Sequence, residues 1–305
     1  MLSSWPLRLL SSMLVTALLA GCSAAGIAVA NLPALFAERE AGLRYMPGPR
    51  GTMDVYHVPA GASARVTKTR RPLVVFWYGG GFTGGAKSQY RFVGAALAGT
   101  GHVTVLPDYR VYPPARFPDF LQDAARAVVA AQREASRLGA DPQRIVLAGH
   151  SAGAYIAAML ALQPRYLLEA GGDPAWIAGL IGLSGPYDID PDTPVLDAIF
   201  TETATEDDFR PLRQVAAVSG RRAPPALLIH GEADTRVGVA HSIKLQQALM
   251  AAGDAVTLRL YPKRKHADTV AALSLVARRR APVLAEIVIF LDSLDAPPRA
   301  SASTP

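Results

Sequence analysis

The sequence predicts an α/β fold, a mostly parallel central sheet with helices on both faces. Strand-like and helix-like segments alternate from Met53 to Leu294. PLVVFW, Pro72 to Trp77, is an unbroken apolar run, as expected of a strand buried on both faces. RIVLAGHSAGAYIAAML, Arg144 to Leu160, joins a β-favouring run to an Ala-rich helical run through Gly149-His150-Ser151-Ala152-Gly153.

Along the chain, residues 1–21 read as a signal segment rather than as part of the fold. Arg8 precedes LLSSMLVTALLA, an apolar run of about 12 residues, too short for a membrane span of about 20. The chain's only cysteine, Cys22, follows Leu19-Ala20-Gly21. Residues 22–50 read as a tether and lead-in, punctuated by Pro33, Pro47, Gly48 and Pro49. The folded domain is expected over 51–295. Met53–Val58 reads as an early edge strand and Pro72–Trp77 as a central one. Ser88–Ala98 reads as a helix, His102–Leu106 as a strand, and Asp119–Leu138 has apolar residues at helical spacing. Ile145–Ala148 is the central strand before the helix Ala152–Leu162. Ile177–Leu183, Ala226–Ile229 and Val256–Tyr261 complete the strands, with helices His241–Ala252 and Pro282–Leu294. The segment 184–222 is long, acidic and irregular, and is expected to form a short cap-like insertion after the sixth strand. The Pro-, Ser- and Ala-rich tail 296–305 is expected to be disordered.

At 305 residues, half of them apolar, the chain can bury a sizeable core. Its net charge of +6 comes from scattered Lys and Arg, without a basic helix interleaved with aromatics, so nucleic acid is not an expected partner. A milder attraction to an anionic membrane face remains open. One cysteine permits no intrachain disulfide. Oligomeric state is left open by the sequence.

A serine at the carboxyl end of a parallel strand lies where ligands bind in such sheets. The turn that lifts its hydroxyl clear is sharp, and glycines two before and two after it relieve the crowding. The helix that follows offers free N–H groups to developing negative charge. Serine needs a base. Of six histidines, His266 lies just after the last strand, in Lys263-Arg264-Lys265-His266-Ala267-Asp268. His150 is expected to be directed away by the turn, and His230 to pack or bond locally. A carboxylate must orient the base. In LLIHGEADTRV, Asp234 is preferred over Glu232; Asp188 reads as structural and Asp268 as a solvated loop charge. Trp77-Tyr78-Gly79-Gly80-Gly81-Phe82 would bring backbone amides into the site, with Gly80, Gly81 and Ala152 as oxyanion donors. A phosphate-binding loop is excluded, since no Lys-Ser/Thr follows at the needed spacing.

Together these residues resemble the α/β-hydrolase superfamily, in its carboxylesterase branch with an HGGG-type loop, near feruloyl-esterase-like and prenylcysteine-methylesterase-like enzymes. Arg50–Tyr56, Pro107-Asp108-Tyr109-Arg110 with Phe117-Pro118, and Asp141–Ile145 also resemble that group. Tyr78 departs from it, standing where many relatives carry histidine. The resemblance implies a serine hydrolase of small or medium carboxylic esters, with Ser151 as nucleophile, His266 as base and Asp234 as its support, and no metal or organic cofactor. An amidase, arylformamidase or peptidase would use the same residues, and a non-catalytic envelope binding module is a second class. The start of the chain resembles a lipoprotein signal, implying acylation of Cys22, export and membrane anchoring. Ser23 after the cysteine resembles outer-membrane sorting in lipoproteins of Gram-negative type.

Overall fold

The computed structural model describes residues 24–58, 71–202, 204–217 and 222–294. The signal segment 1–21, Cys22 and the tail 296–305 lie outside them. The strands are β1 Arg39–Arg44, β2 Thr52–Tyr56, β3 Pro72–Trp77, β4 Thr104–Pro107, β5 Asp141–His150, β6 Ile177–Leu183, β7 Ala226–Gly231 and β8 Val256–Tyr261. They form one sheet in the order β1-β2-β4-β3-β5-β6-β7-β8. The pairs β1–β2 and β2–β4 are antiparallel, and all the others are parallel. The helices of seven residues or more are α1 Ala24–Asn31, α2 Arg91–Ala98, α3 Asp119–Ala135, α4 Ala152–Leu162, α5 Pro194–Phe200, α6 Pro211–Ala217, α7 Ala240–Ala251 and α8 Val283–Ser293.

The connections set the layers. Passing through α2, the chain steps from β3 towards the β1 edge; through α3, α4 and α7 it steps towards the β8 edge. Right-handed crossovers then put α2 on one face and α3, α4 and α7 on the other. Leu284 of α8 lines a groove with Ala95 and Ala96 of α2, and Ala30 of α1 joins them, so these three helices share a layer. The apolar run of β3 is buried at all six positions, as its sequence predicts. Every residue of α4 is buried, which explains why that helix is apolar all round.

Two expectations need correction. Residues 22–50 were expected to be a tether. Their described part folds as α1, a 3₁₀ turn Leu32–Phe36 and β1. The strand β1 escapes a period-two pattern because it carries a register shift between Glu40 and Leu43, with Gly42 at φ +74°. It carries three charged residues, Arg39, Glu40 and Arg44, as suits an edge strand. Consequently Thr52–Tyr56 is not the edge strand; it lies between β1 and β4 and is buried from Met53 to Tyr56.

The insertion after β6 is seated, not detached. Phe200 and Phe209 are fully buried in an aromatic cluster with Phe82, Phe117, Phe120 and Tyr155. The Tyr155 hydroxyl donates to the Phe209 carbonyl at 2.7 Å, tying α4 to the insertion. Its acidic character has a local cause. Thr193 caps α5, and the helix Glu206–Phe209 starts with a Thr205–Asp208 capping box and acidic residues throughout its first turn.

A demanding contact for the site lies where α4 crosses the end of β3. A Cβ on Gly153 would sit 2.1 Å from the Trp77 carbonyl oxygen, and one on Gly149 would sit 2.2 Å from the Gly153 carbonyl oxygen. Gly153→Ala is therefore expected to destabilise the protein by about 3 kcal/mol, the upper end of overpacking costs, because backbone cannot yield as a side chain can. Urea unfolding checks this; a change below about 0.5 kcal/mol would show that the contact relaxes freely.

Candidate active site

Ser151 stands at the β5–α4 junction with φ 54° and ψ −123°, a conformation that side chains other than glycine adopt only under constraint. The constraint is visible. The Ser151 N–H donates to the Leu183 carbonyl of β6 at 2.9 Å, and the Ser151 carbonyl accepts from Ala154 and Tyr155 in the first turn of α4. The hydroxyl is thereby lifted to the carboxyl edge of the sheet.

His266 arrives from the loop after β8. Its Nε2 lies 2.9 Å from Ser151 Oγ, and its Nδ1 lies 2.7 Å from Asp234 Oδ2. A carboxylate only accepts, so Nδ1 carries the hydrogen and Nε2 is left to take the serine proton. Asp234 follows β7. Its Oδ1 accepts the N–H groups of Arg236 and Val237, each at 2.9 Å, and His230 Nε2 lies 3.2 Å from its Oδ2. Burial would raise the carboxyl's pKa. The hydrogen bonds from His230, His266 and Val237 outweigh it and hold Asp234 well below the usual carboxylate range. Glu232, two residues earlier, is exposed.

The glycine loop after β3 faces the serine. Gly80 and Gly81 line the same cavity as Ser151 and Ala152. Among the described residues, neither Gly80 nor Gly81 donates its amide to another group, and Ala152, in the first turn of α4, has no intrahelical acceptor. A Cβ on Gly80 would meet the Gly84 carbonyl oxygen at 2.1 Å, and Gly81 has φ +59°, so both positions require glycine. Tyr78, the departure noted above, has its own support. Its ring stacks on Tyr109 at 4.6 Å, and its hydroxyl accepts from Arg50 Nη1 at 3.0 Å. Arg50 also donates to the Gly85 and Tyr109 carbonyls, so one guanidinium braces both ends of the loop.

His150 joins the loop to the base from beneath. Its Nε2 lies 3.1 Å from the His266 carbonyl oxygen and its Nδ1 lies 2.9 Å from the Tyr90 hydroxyl, which accepts the Gly79 N–H at 3.2 Å. Complete burial, with the His266 ring beside it, pushes the His150 pKa down to about 3. The ring is neutral, Nε2–H donates to His266, and Tyr90 donates to Nδ1. The Thr269 hydroxyl donates to the same His266 carbonyl at 3.2 Å, so the base's backbone is held from two sides.

The cavity over these groups has a volume of about 550 Å³. Ile27 of α1 and Pro186, Ile189 and Leu196 of the insertion form its apolar walls; Asp188, Arg236 and His241 are polar. Asp188 binds Lys244 at 2.6 Å and Arg210 at 3.2 Å, and its N–H donates to His241 Nδ1 at 3.0 Å.

The structure thus brings together Ser151, His266, Asp234, Gly80, Gly81 and Ala152. Cys22 lies outside the described residues. His150 does turn away from the serine hydroxyl, but it packs into the site instead of leaving it. His230 supports the carboxylate as well as bonding Val237 and Ser242. Asp268 accepts from the Lys265 N–H at 2.8 Å and is less free than a solvated loop charge. Sequence reading missed Tyr90, Arg50 and Ile27, whose positions depend on pairings across the fold. The one local signal was the histidine directly before the serine.

His150 gives a test in pH. A free histidine takes its proton near pH 6.5, whereas the folded one resists until about 3, so stability is full above 6.5 and falls as pH drops between those values. The slope from this group is at most about 1.4 kcal/mol per pH unit. His150→Gln is expected to flatten the stability curve from urea unfolding between pH 6.5 and 5. An unchanged slope would show that His150 is not held neutral.

Comparisons with known proteins find methylesterases and esterases. The sequence profile of the BD-FAE family matches residues 53–249. The chain is 30% identical over 242 residues to the isoprenylcysteine alpha-carbonyl methylesterase ICME of Arabidopsis thaliana, covering 73% of this chain and 55% of that protein. It is 30% identical over 196 residues to esterase LipC of Mycobacterium tuberculosis, covering 59% and 48%. The chain therefore spans about half the length of the curated relatives it matches. Esterase B from Lactobacillus rhamnosis superposes with a TM-score of 0.71 at 20% identity, over 85% of this chain and 87% of that one. A carbohydrate esterase from gut microbiota superposes at 0.68 and 18% identity, over 84% and 96%. At these identities the structural likeness is one of fold. With the profile covering most of the chain, from β2 through most of α7, this chain belongs to the BD-FAE family.

Proposed function

We propose that the chain is a serine hydrolase that cleaves carboxylic esters through an acyl-enzyme. The observation that carries the reading is the unbroken hydrogen-bonded line from Ser151 Oγ through His266 to Asp234, beside undonated backbone amides. Ser151 attacks the acyl carbon while His266 Nε2 takes its proton. Asp234 stabilises the imidazolium, and the amides of Gly80, Gly81 and Ala152 receive the oxyanion. His266 returns the proton to the leaving alcohol; water, activated by the same nitrogen, then releases the acid. A cavity of about 550 Å³ suits a small or medium substrate. The names of the relatives, methylesterase and esterase, support the ester reading over an amide one.

The start of the sequence supports a second part of this proposal, export with a lipid on Cys22 as a cell-envelope lipoprotein. Replacing that thiol, Cys22→Ser, is expected to release the protein from membranes; unchanged partitioning would refute the anchor.

Activity is tested on nitrophenyl esters of rising chain length, alongside anilides and N-formylkynurenine. Ser151→Ala is expected to lower kcat by about 10⁶-fold, and Asp234→Asn by about 10⁴-fold with KM little changed. Ester hydrolysis equal in wild type and Ser151→Ala would overturn the mechanism. Faster turnover of the anilides or the formamide than of every ester would move the chain to the amidase reading.

A further inference from the structure

Among the described residues, nine large apolar side chains are exposed. Five of them, Leu32, Leu35, Phe36, Leu275 and Val276, lie on two segments that face each other. One segment is the 3₁₀ turn after α1; the other follows His266 in the loop leading to α8. Pro33 and Ala34 line a groove with Leu275 and Arg278, which places the segments on either side of it. Phe36 is 92% exposed. Exposed apolar side chains gathered on two segments about one groove mark a contact surface.

The patch adjoins the cavity over Ser151. A second groove shares Ala30 and Phe92 with the first and runs past Val276 and Arg280 to Ile27 and Tyr90. Those last two residues also line the cavity over Ser151. Shared wall residues thus place the exposed patch beside the cavity over Ser151.

Two further observations identify the occupant. Arg278 and Arg279 are exposed at the edge of the patch and have no ion-pair partner among the described residues, while Arg280 reaches Asp268 only at 3.7 Å. Lys263 and Lys265 are exposed on the adjoining loop, and the nearby acidic groups are Asp268 and Glu38. The helix α1, which brings the chain onto this face, carries no charge. No described helix is long and apolar enough to cross a membrane.

We propose that this face docks on an anionic lipid bilayer, with Leu32, Leu35, Phe36, Leu275 and Val276 in the acyl region and Arg278 and Arg279 at the phosphates, so that the cavity takes ester substrate from the lipid side. Apolar side chains beside cations are the chemistry of interfacial attachment. The docking stands on the surface alone; the delivery of an ester rests on the function proposed above.

The test uses the full chain reconstituted with vesicles of phosphatidylcholine and phosphatidylglycerol whose acyl chains carry bromine. Phe36→Trp reports on the patch. Leu168→Trp, at an exposed site packed against the α3 layer across the sheet, is the control. Fluorescence quenching beyond that of the native tryptophans is expected for Phe36→Trp and not for Leu168→Trp. Adding Arg278→Glu and Arg279→Glu to Phe36→Trp is expected to reduce that quenching at least twofold in 0.1 M salt, and to slow hydrolysis of a vesicle-borne ester while leaving a soluble nitrophenyl ester unaffected. Equal quenching at both positions, or none at residue 36, overturns the docking. A concentration-dependent dimer abolished by Phe36→Ser, without quenching, assigns the face to a second copy and equally overturns it. If wild type hydrolyses no ester at all, the enzymatic reading fails while the quenching still decides the docking.

Discussion

The site depends on how closely the β5–α4 junction approaches the end of β3. At that point the backbone of Gly153 touches the Trp77 carbonyl, and Gly149 lies under the first turn of α4. A Cβ on Gly79 would come within 2.9 Å of the Ser151 Cβ. This crowding holds Ser151 in its strained conformation and sets the glycine loop against the hydroxyl. The same contact thus presents the nucleophile and places amides where charge would develop. Substituting any of these glycines would separate two functions that the packing makes one.

Electrostatics builds outward from a single buried carboxylate. Asp234 keeps its charge because two backbone amides and two imidazoles meet it in a site with little water. It can then stabilise a charge that forms on His266, one hydrogen bond away from the serine. His150 has the opposite task. Deep burial keeps it neutral, and a neutral ring with one donor and one acceptor can bridge the His266 carbonyl and the Tyr90 hydroxyl. A protonated His150 would add a like charge beneath the base. The glycine loop, the nucleophile and the base are consequently linked by uncharged hydrogen bonds on one side and by an ionised acceptor on the other.

Much of the fold was legible because its central strands are buried on both faces and read as apolar runs. GHSAG and HGEAD each sit directly after such a run, and KRKHAD follows the half-buried edge strand β8, so a local pattern located them. What escaped had no local pattern. The strand β1 is charged, bulged at Gly42 and exposed along its edge. Its apolar neighbour α1 resembles a continuation of the leader. The partnership of Tyr90 with His150 spans 60 residues, and that of His150 with His266 spans 116. Support of the glycine loop by Arg50 spans 28 to 59 residues, and a stacked tyrosine pair stands in place of the expected histidine. Residues proposed to carry the chemistry were readable one by one; residues that position them were not, because their partners are brought near only by the sheet order.

The central claim is that Ser151 is the one nucleophile activated by this arrangement. The direct measurement is peptide mass spectrometry after reaction with a fluorophosphonate. The account predicts a single stoichiometric adduct on the peptide carrying Ser151, formed far more slowly when His266 is replaced by glutamine. An adduct on another residue, or one that forms at the same rate without the His266 imidazole, would contradict it.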